Sequence, residues 1–244
     1  MKIKRIVLKL SGEALGNSNE AIFAKDKLEY IVHEIMELKT LGIEVAIMIG
    51  GGNILRGKTF DFWDTPRAEK DSVGTMATVI NACVLKMALQ SLTDSDVRIM
   101  TATPMHAVGE EYCRECAISH LQKNRIVIFA GGNGQPFVST DYPTIQRACE
   151  IDADAIFMAK NGIDGVFKEN PKENPDARIY KTLSYSDAIA NSLEVIDFTG
   201  FILAKQFNCI LHIYNFKDKG AAQRICLGET VGTTVSNDVA SELY

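Results

Sequence analysis

Ile43-Glu44-Val45-Ala46-Ile47-Met48-Ile49 runs straight into Gly50-Gly51-Gly52-Asn53. The run is almost wholly apolar, lacks polar alternation and ends in glycine, as a strand buried on both faces would. Gly42 stands just before it, at the C′ position of a preceding helix. That helix is expected over Ala24–Leu41, with apolar residues at Leu28, Ile31, Val32, Ile35 and Leu38. Upstream, the β-branched stretch Ile3–Leu10 (IKRIVLKL) reads as a first strand. Downstream, Ser72–Leu92 predicts a long helix. Val97–Thr103, Ile126–Ala130 and Ala155–Ala159 predict buried strands, with helices over Glu110–Lys123 and Asp141–Ile151 between them.

The last third is less regular. Strands are expected at Val195–Asp197, Cys209–Tyr214 and Thr233–Ser236, and helices around Ser184–Ser192, Thr199–Phe207 and Lys217–Cys226. Strands alternating with helices point to a mainly parallel sheet covered on both faces. Lys168–Asp176 (KENPKENPD) is the most loop-like stretch and reads as a surface loop rather than a domain joint, because regular elements continue on both sides. A chain of 244 residues fits one sizeable domain.

Composition narrows the function classes. The net charge of −5 argues against a broad nucleic-acid surface, which needs clustered cations. No apolar run approaches the roughly 20 residues that cross a bilayer, so no membrane role is expected and the cytoplasm is the expected location. Of six cysteines only Cys113 and Cys116 have a suggestive spacing. With His120 they leave a zinc shell incomplete, and they read as buried thiols on a helix.

Three glycine-bearing turns follow strands: Ser11-Gly12, Gly50–Gly52, and Gly131-Gly132-Asn133-Gly134. In an open parallel sheet their strands would end at one edge, where ligands bind. Glycine there lets backbone N–H groups approach phosphate oxygens, although tight turns need glycine for geometry alone. The chain has no G-x-x-x-x-G-K-[ST] and no G-x-G-x-x-G after the first strand, so neither a P-loop nor an ordinary dinucleotide site is expected. Two readings stand for Lys9, inside an apolar strand: it snorkels to the sheet edge, or its charge meets phosphate oxygens there. Arg56, after the triple glycine, suits a bidentate grip on a phosphate.

The strings KLSGEAL (Lys9–Leu15), IGGGNILRG (Ile49–Gly57), Asp71 with VGTMATVIN, GGNGQPFVSTD (Gly131–Asp141), IDADAIFMAKNGIDGVF (Ile151–Phe167) and LEVIDF (Leu193–Phe198) span nearly the whole chain. Together they resemble the amino acid kinase superfamily and, within it, the bacterial UMP kinase family. The resemblance implies a single three-layer αβα sandwich with a mainly parallel sheet of about eight strands, usually assembled as a homohexamer. It implies transfer of the ATP γ-phosphoryl group to UMP, with Mg²⁺, in pyrimidine nucleotide biosynthesis. By motif, Lys9, Leu10, Ser11 and Gly12 would cradle the ATP phosphates, with Gly52 beside the transferred group. Gly51 and Arg56 would hold the UMP phosphate, and Asp71 the ribose. Asn133, Gly134, Gln135, Pro136, Phe137, Val138, Ser139 and Thr140 would bind the nucleotide and recognise uracil. Asn161, Phe167 and Asn170 would contact adenosine. Asp197 is expected to orient Lys9 or Mg²⁺, and no side-chain metal ligand is expected.

Other readings of the same residues remain. Asp71 also stands four residues after Arg67, at ion-pair spacing on a helix. Asp141 follows Ser139-Thr140 and reads as a helix cap outside the catalytic set. Two departures from the family pattern matter. Asn170 stands where relatives commonly carry an acid, so ATP binding is expected to persist but weaken. Gly16–Phe23 is poorer in glycine than the stretch that relatives associate with GTP, so GTP activation is not expected, whereas UTP inhibition is. An amino acid kinase acting on a carboxylate or carbamate, and a non-catalytic nucleotide sensor, are the competing functions.

Overall fold

The computed structural model describes residues 3–16, 21–55, 64–171, 173–193 and 195–244. The chain opens with β1 (Arg5–Leu10), a 3-10 turn (Gly12–Leu15), α1 (Lys25–Thr40) and β2 (Glu44–Ile49). Then come α2 (Arg67–Leu92), β3 (Val97–Thr101), β4 (Glu110–Glu111), α3 (Arg114–Gln122) and β5 (Ile126–Ala130). The second half holds α4 (Asp141–Glu150), β6 (Ala155–Lys160), β7 (Tyr180–Ser184), α5 (Tyr185–Ala190), α6 (Phe198–Gln206) and β8 (Leu211–Asn215). It ends with α7 (Ala221–Cys226), β9 (Thr233–Ser236) and β10 (Glu242–Leu243).

The ten strands among the described residues form one sheet in the order β10-β7-β9-β8-β6-β1-β2-β5-β3-β4. Its pairs are parallel except β8/β9 and β7/β10. Two of the ten, β4 and β10, are two-residue edge pieces. The remaining eight are the sheet that the resemblance implies.

Strand alternation sorts the core into two layers. Ile6, Leu8 and Leu10 with Val45, Ile47 and Ile49 face α1, α2 and α7. Val7, Ala46 and Met48 face α3, α4, α5 and α6. Lys9 shares the alternation of Val7, and Lys160 that of Ile156 and Met158. Both lysines therefore belong to the α4 side of the sheet, each at the C-terminal end of its strand.

Several elements differ from the sequence expectation. Val195–Asp197 is a turn that delivers Asp197 as the N-cap residue of α6. The expected helix over Glu110–Lys123 begins only at Arg114, because Glu110–Glu111 pairs with the edge of β3. Cys113 is its N-cap, and its sulfur accepts the Cys116 N–H, so the C-x-x-C spacing serves the helix start. Helix α2 starts at Arg67, ahead of the expected Ser72, and so carries Asp71. By length and composition α2 could cross a bilayer. Here its face of Ala77, Val79, Ala82, Leu85 and Leu89 is buried. Gly42 closes α1 with φ +76°, as a C′ glycine does.

Candidate active site

The C-terminal ends of β1, β2, β5 and β6 bring their following turns to one edge of the sheet. Lys9 is 8% exposed there, and its ammonium lies 2.7 Å from Oδ1 of Asp141, the first residue of α4. The Lys160 ammonium donates to the other oxygen, Oδ2, at 3.3 Å. One buried carboxylate thus holds two ammonium groups. Burial alone would raise the Asp141 pKa, but Lys9 and Lys160 more than offset it and hold the carboxyl below its ordinary value. Burial lowers the Lys160 pKa, and Asp141 opposes that shift only in part. Counting one acid against two bases, the cluster carries net positive charge beside the glycine turns.

Asp141 is therefore more than a helix start, contrary to the sequence reading. Its own N–H donates to Ser139 Oγ at 3.1 Å, so the capping side chain comes from Ser139. Ser139 Oγ in turn donates to Asp197 Oδ2. The sequence reading expects Asp197 to orient Lys9 or Mg²⁺, and the geometry bears on the first of these. The acid paired with Lys9 is instead Asp141, and Asp197 stands one step away through Ser139, within the electrostatic reach of Lys160.

Around the lysines the glycine turns interlock. A Cβ on Gly12 would lie 2.7 Å from the Gly52 nitrogen and 2.8 Å from the Gly50 oxygen. Only glycine allows the turns after β1 and β2 to touch there. Beside it, Ser11 Oγ is buried with no hydrogen-bond partner among the described residues. A buried orphan hydroxyl is costly unless a ligand completes it. The turn after β2 is pinned by a buried amide pair. Asn81 Nδ2 donates to the Gly50 carbonyl and to Asn53 Oδ1, both at 2.7 Å, and Asn53 Nδ2 returns a bond to Asn81 Oδ1. The turn after β5 is tied to the same helix, with Gly131 N–H donating to Thr78 Oγ1 at 2.8 Å.

A cavity of about 580 Å³ opens beside these turns. Its wall includes Gly51, Gly52, Asp71, Asn133, Gln135 and Thr140, and Val138 and Ser139 line it too. Asp71 Oδ2 accepts the Phe137 N–H at 2.8 Å and lies 3.6 Å from Arg67 Nε. Both readings of Asp71 are compatible with this geometry, because it pairs with Arg67 while facing the cavity. Phe137 adopts φ +66°, with the Arg67 guanidinium 5.4 Å from its ring centre. Gly134, at φ +77°, and Pro136 complete the turn. Arg56 lies outside the described residues, as does half of the stretch compared with the GTP-linked segment of relatives, residues 17–20.

Asn161, Phe167 and Asn170 follow β6, away from this cavity's wall. Asn161 is exposed, and Phe167 forms an antiparallel bridge with Ile179. Asn170 Nδ2 donates to Glu173 Oε1 at 3.0 Å. Lys168–Asp176 is thus a surface excursion pinned at its base by the Lys168 N–H to Arg178 carbonyl bond.

The amino acid kinase family model matches residues 4–215, most of the chain. The chain belongs to the amino acid kinase family. The family's uridylate kinase from Frankia casuarinae is 45% identical over 97% of this chain and 91% of that protein. The uridylate kinase of Pediococcus pentosaceus is 39% identical over 98% of each. Among solved structures, the UMP kinase from Bacillus anthracis superposes with a TM-score of 0.97 at 47% identity, covering all of both chains. The UMP kinase from Ureaplasma parvum reaches 0.90 at 31% identity, covering 97% of this chain and all of that one.

Proposed function

We propose that this amino acid kinase is a UMP kinase, transferring the γ-phosphoryl group of ATP to the 5′-phosphate of UMP to give UDP and ADP. The observation that carries the reading is the Lys9–Asp141–Lys160 cluster at the edge where the glycine turns meet. The similarity to uridylate kinases over nearly the full chain supports the acceptor.

The reaction brings two anions together in line. A UMP phosphate is largely ionised near neutral pH and needs no strong general base, so cations and N–H donors carry the catalysis. Lys9 supplies charge to the transferred group, Lys160 adds a second ammonium, and Asp141 fixes both in place. Ser11 Oγ and the backbone of Gly12 and Gly51–Gly52 supply donors to the phosphates. Asp71 accepts from the ribose, and the turn from Asn133 to Thr140 encloses the base. Asn161, Phe167 and Asn170 take the adenosine side. Arg56 is assigned the UMP phosphate through the motif alone.

Among the described residues no group of three or more His, Cys, Asp or Glu side chains is disposed to hold a metal, and Lys9 and Lys160 occupy both Asp141 oxygens. That donor set fits Mg²⁺ held mainly by nucleotide phosphates and water rather than by a protein cage. When bound, the ion neutralises charge on the ATP phosphates. The reading carries with it a homohexamer in the cytoplasm, inhibited by UTP and not activated by GTP.

The test is ADP release from ATP–Mg²⁺ with UMP, CMP, dUMP or aspartate as acceptor, and Lys9→Ala as control. Turnover with UMP that disappears in a folded Lys9→Ala protein is the expected result. A folded wild-type protein inactive with UMP but active with aspartate would move the assignment to another branch of the family.

A further inference from the structure

Cys149 and Cys209 play no part in the phosphoryl-transfer reading, yet their sulfur atoms lie 3.4 Å apart. Cys149 is the penultimate residue of α4, and Cys209 sits in the turn between α6 and β8. Both thiols are free and only half-buried, at the fringe of the core layer that α4 and α6 share. The surrounding backbone is fixed. The Cys209 N–H donates to the Ala204 carbonyl at 2.9 Å, and the buried Tyr185 hydroxyl donates to the Cys209 carbonyl at 3.0 Å. Bonded sulfurs stand about 2 Å apart, so the pair has about 1.4 Å left to close.

We propose that Cys149 and Cys209 form a peroxide-responsive modification site, which closes reversibly to an intramolecular disulfide and ties α4 to the turn after α6. The pair is asymmetric, as such chemistry requires. The hydrogen bond from Cys209 holds the Cys149 thiol below its ordinary pKa, and the same contact, with burial, pushes Cys209 up. Cys149 is then the attacking thiolate. Its sulfur attacks one oxygen of hydrogen peroxide, the O–O bond breaks, and a sulfenic acid and water form. Cys209 sulfur attacks that sulfenic sulfur, the S–O bond breaks and a second water leaves. Two thiols lose two electrons and two protons, and one peroxide is reduced to two waters. A thiol reductant reverses the bond by exchange.

The link joins the two helices that deliver acids to the site. Helix α4 begins at Asp141, and α6 is preceded by Asp197, the acceptor of Ser139. The cross-link holds their far ends together and restricts opening between them.

The test uses the full chain treated with near-stoichiometric peroxide, then measured without reductant. The expected product has lost about 2 Da. Titratable thiols fall from six to four, and the linked peptides contain Cys149 and Cys209. The melting midpoint rises by a few degrees, falls back with dithiothreitol and does not move in Cys149→Ser. In Cys209→Ser the same dose leaves an oxygenated Cys149 and no 2 Da loss. Retention of all six thiols in the wild type would overturn the proposal, as would a link mapping to Cys113–Cys116 or between chains. These readouts require no turnover, so they stand apart from the UMP assignment.

Discussion

Asp141 is the residue on which the site turns. It is nine-tenths buried and faces two ammonium groups. Replacing it with Asn leaves both lysines without an anion, and breaking a buried pair in this way costs about 3–5 kcal/mol. Asp141→Asn is expected to lower kcat by on the order of 100-fold while largely sparing the KM for UMP, read by ADP release. The folded carboxyl titrates below its unfolded value. Its stabilisation is therefore complete above the unfolded carboxylate range, near pH 4, and is lost as pH falls through the folded value. Melting curves should show a steeper acid-side loss in the wild type than in Asp141→Asn, and equal slopes would refute the pairing. Lys9 was legible in the sequence because a lysine in an apolar strand demands an explanation. Asp141 was not, because a Ser-Thr-Asp start to a helix already has a local one. Its two partners lie 132 residues upstream and 19 downstream (141 − 9 and 160 − 141), and only the pairing of β1 with β6 unites them.

At the scale of elements, the site is a set of turns held against α2. The Asn81 amide is fully buried and serves the Gly50 carbonyl. Asn81→Ala removes the donor to that carbonyl and to Asn53 Oδ1, while Asn53 Nδ2 keeps the Ile22 carbonyl. A loss of about 2 kcal/mol in urea unfolding is expected, with a raised KM for UMP. Gly12→Ala drives a methyl into the backbone of Gly50 and Gly52. It should raise the KM for ATP at least about tenfold without unfolding the protein, because the clash forces two phosphate-facing turns apart. An unchanged KM would show that the turns have room to part. Most strands and helices of the first 160 residues were readable from apolar runs and helical spacing, the exceptions being β4 and the starts of α2 and α3. The later ones were harder, since Val195-Ile196 is β-branched and apolar yet turns, to place Asp197 at the head of α6. Helix α2 was seen too short because its first turn, Arg67–Lys70, is polar and lies before the apolar run.

For the molecule as a whole, the cavity lies between the turns after β2 and β5 and the N-terminal half of α2. A ligand seated there braces elements from both core layers. UMP at about a hundred times its Kd should therefore add roughly 2.7 kcal/mol of stability, a rise of several degrees in the melting midpoint. Asp71→Ala should reduce that rise, since it removes the acceptor facing the cavity and frees Phe137 at the same time.

The central placement of β1 also bears on how the chain is born. One edge of β1 pairs with β2, which ends at Ile49, and the other with β6, which ends at Lys160. During synthesis the first edge finds its partner early. The second must wait for 111 more residues (160 − 49), roughly 5–20 s at typical bacterial and eukaryotic translation speeds. Through that interval the nascent protein carries an open, apolar edge on β1, which becomes the middle of the finished sheet. Shielding by the ribosome or by chaperones during those seconds is therefore a requirement set by topology, not by any weakness of the finished core.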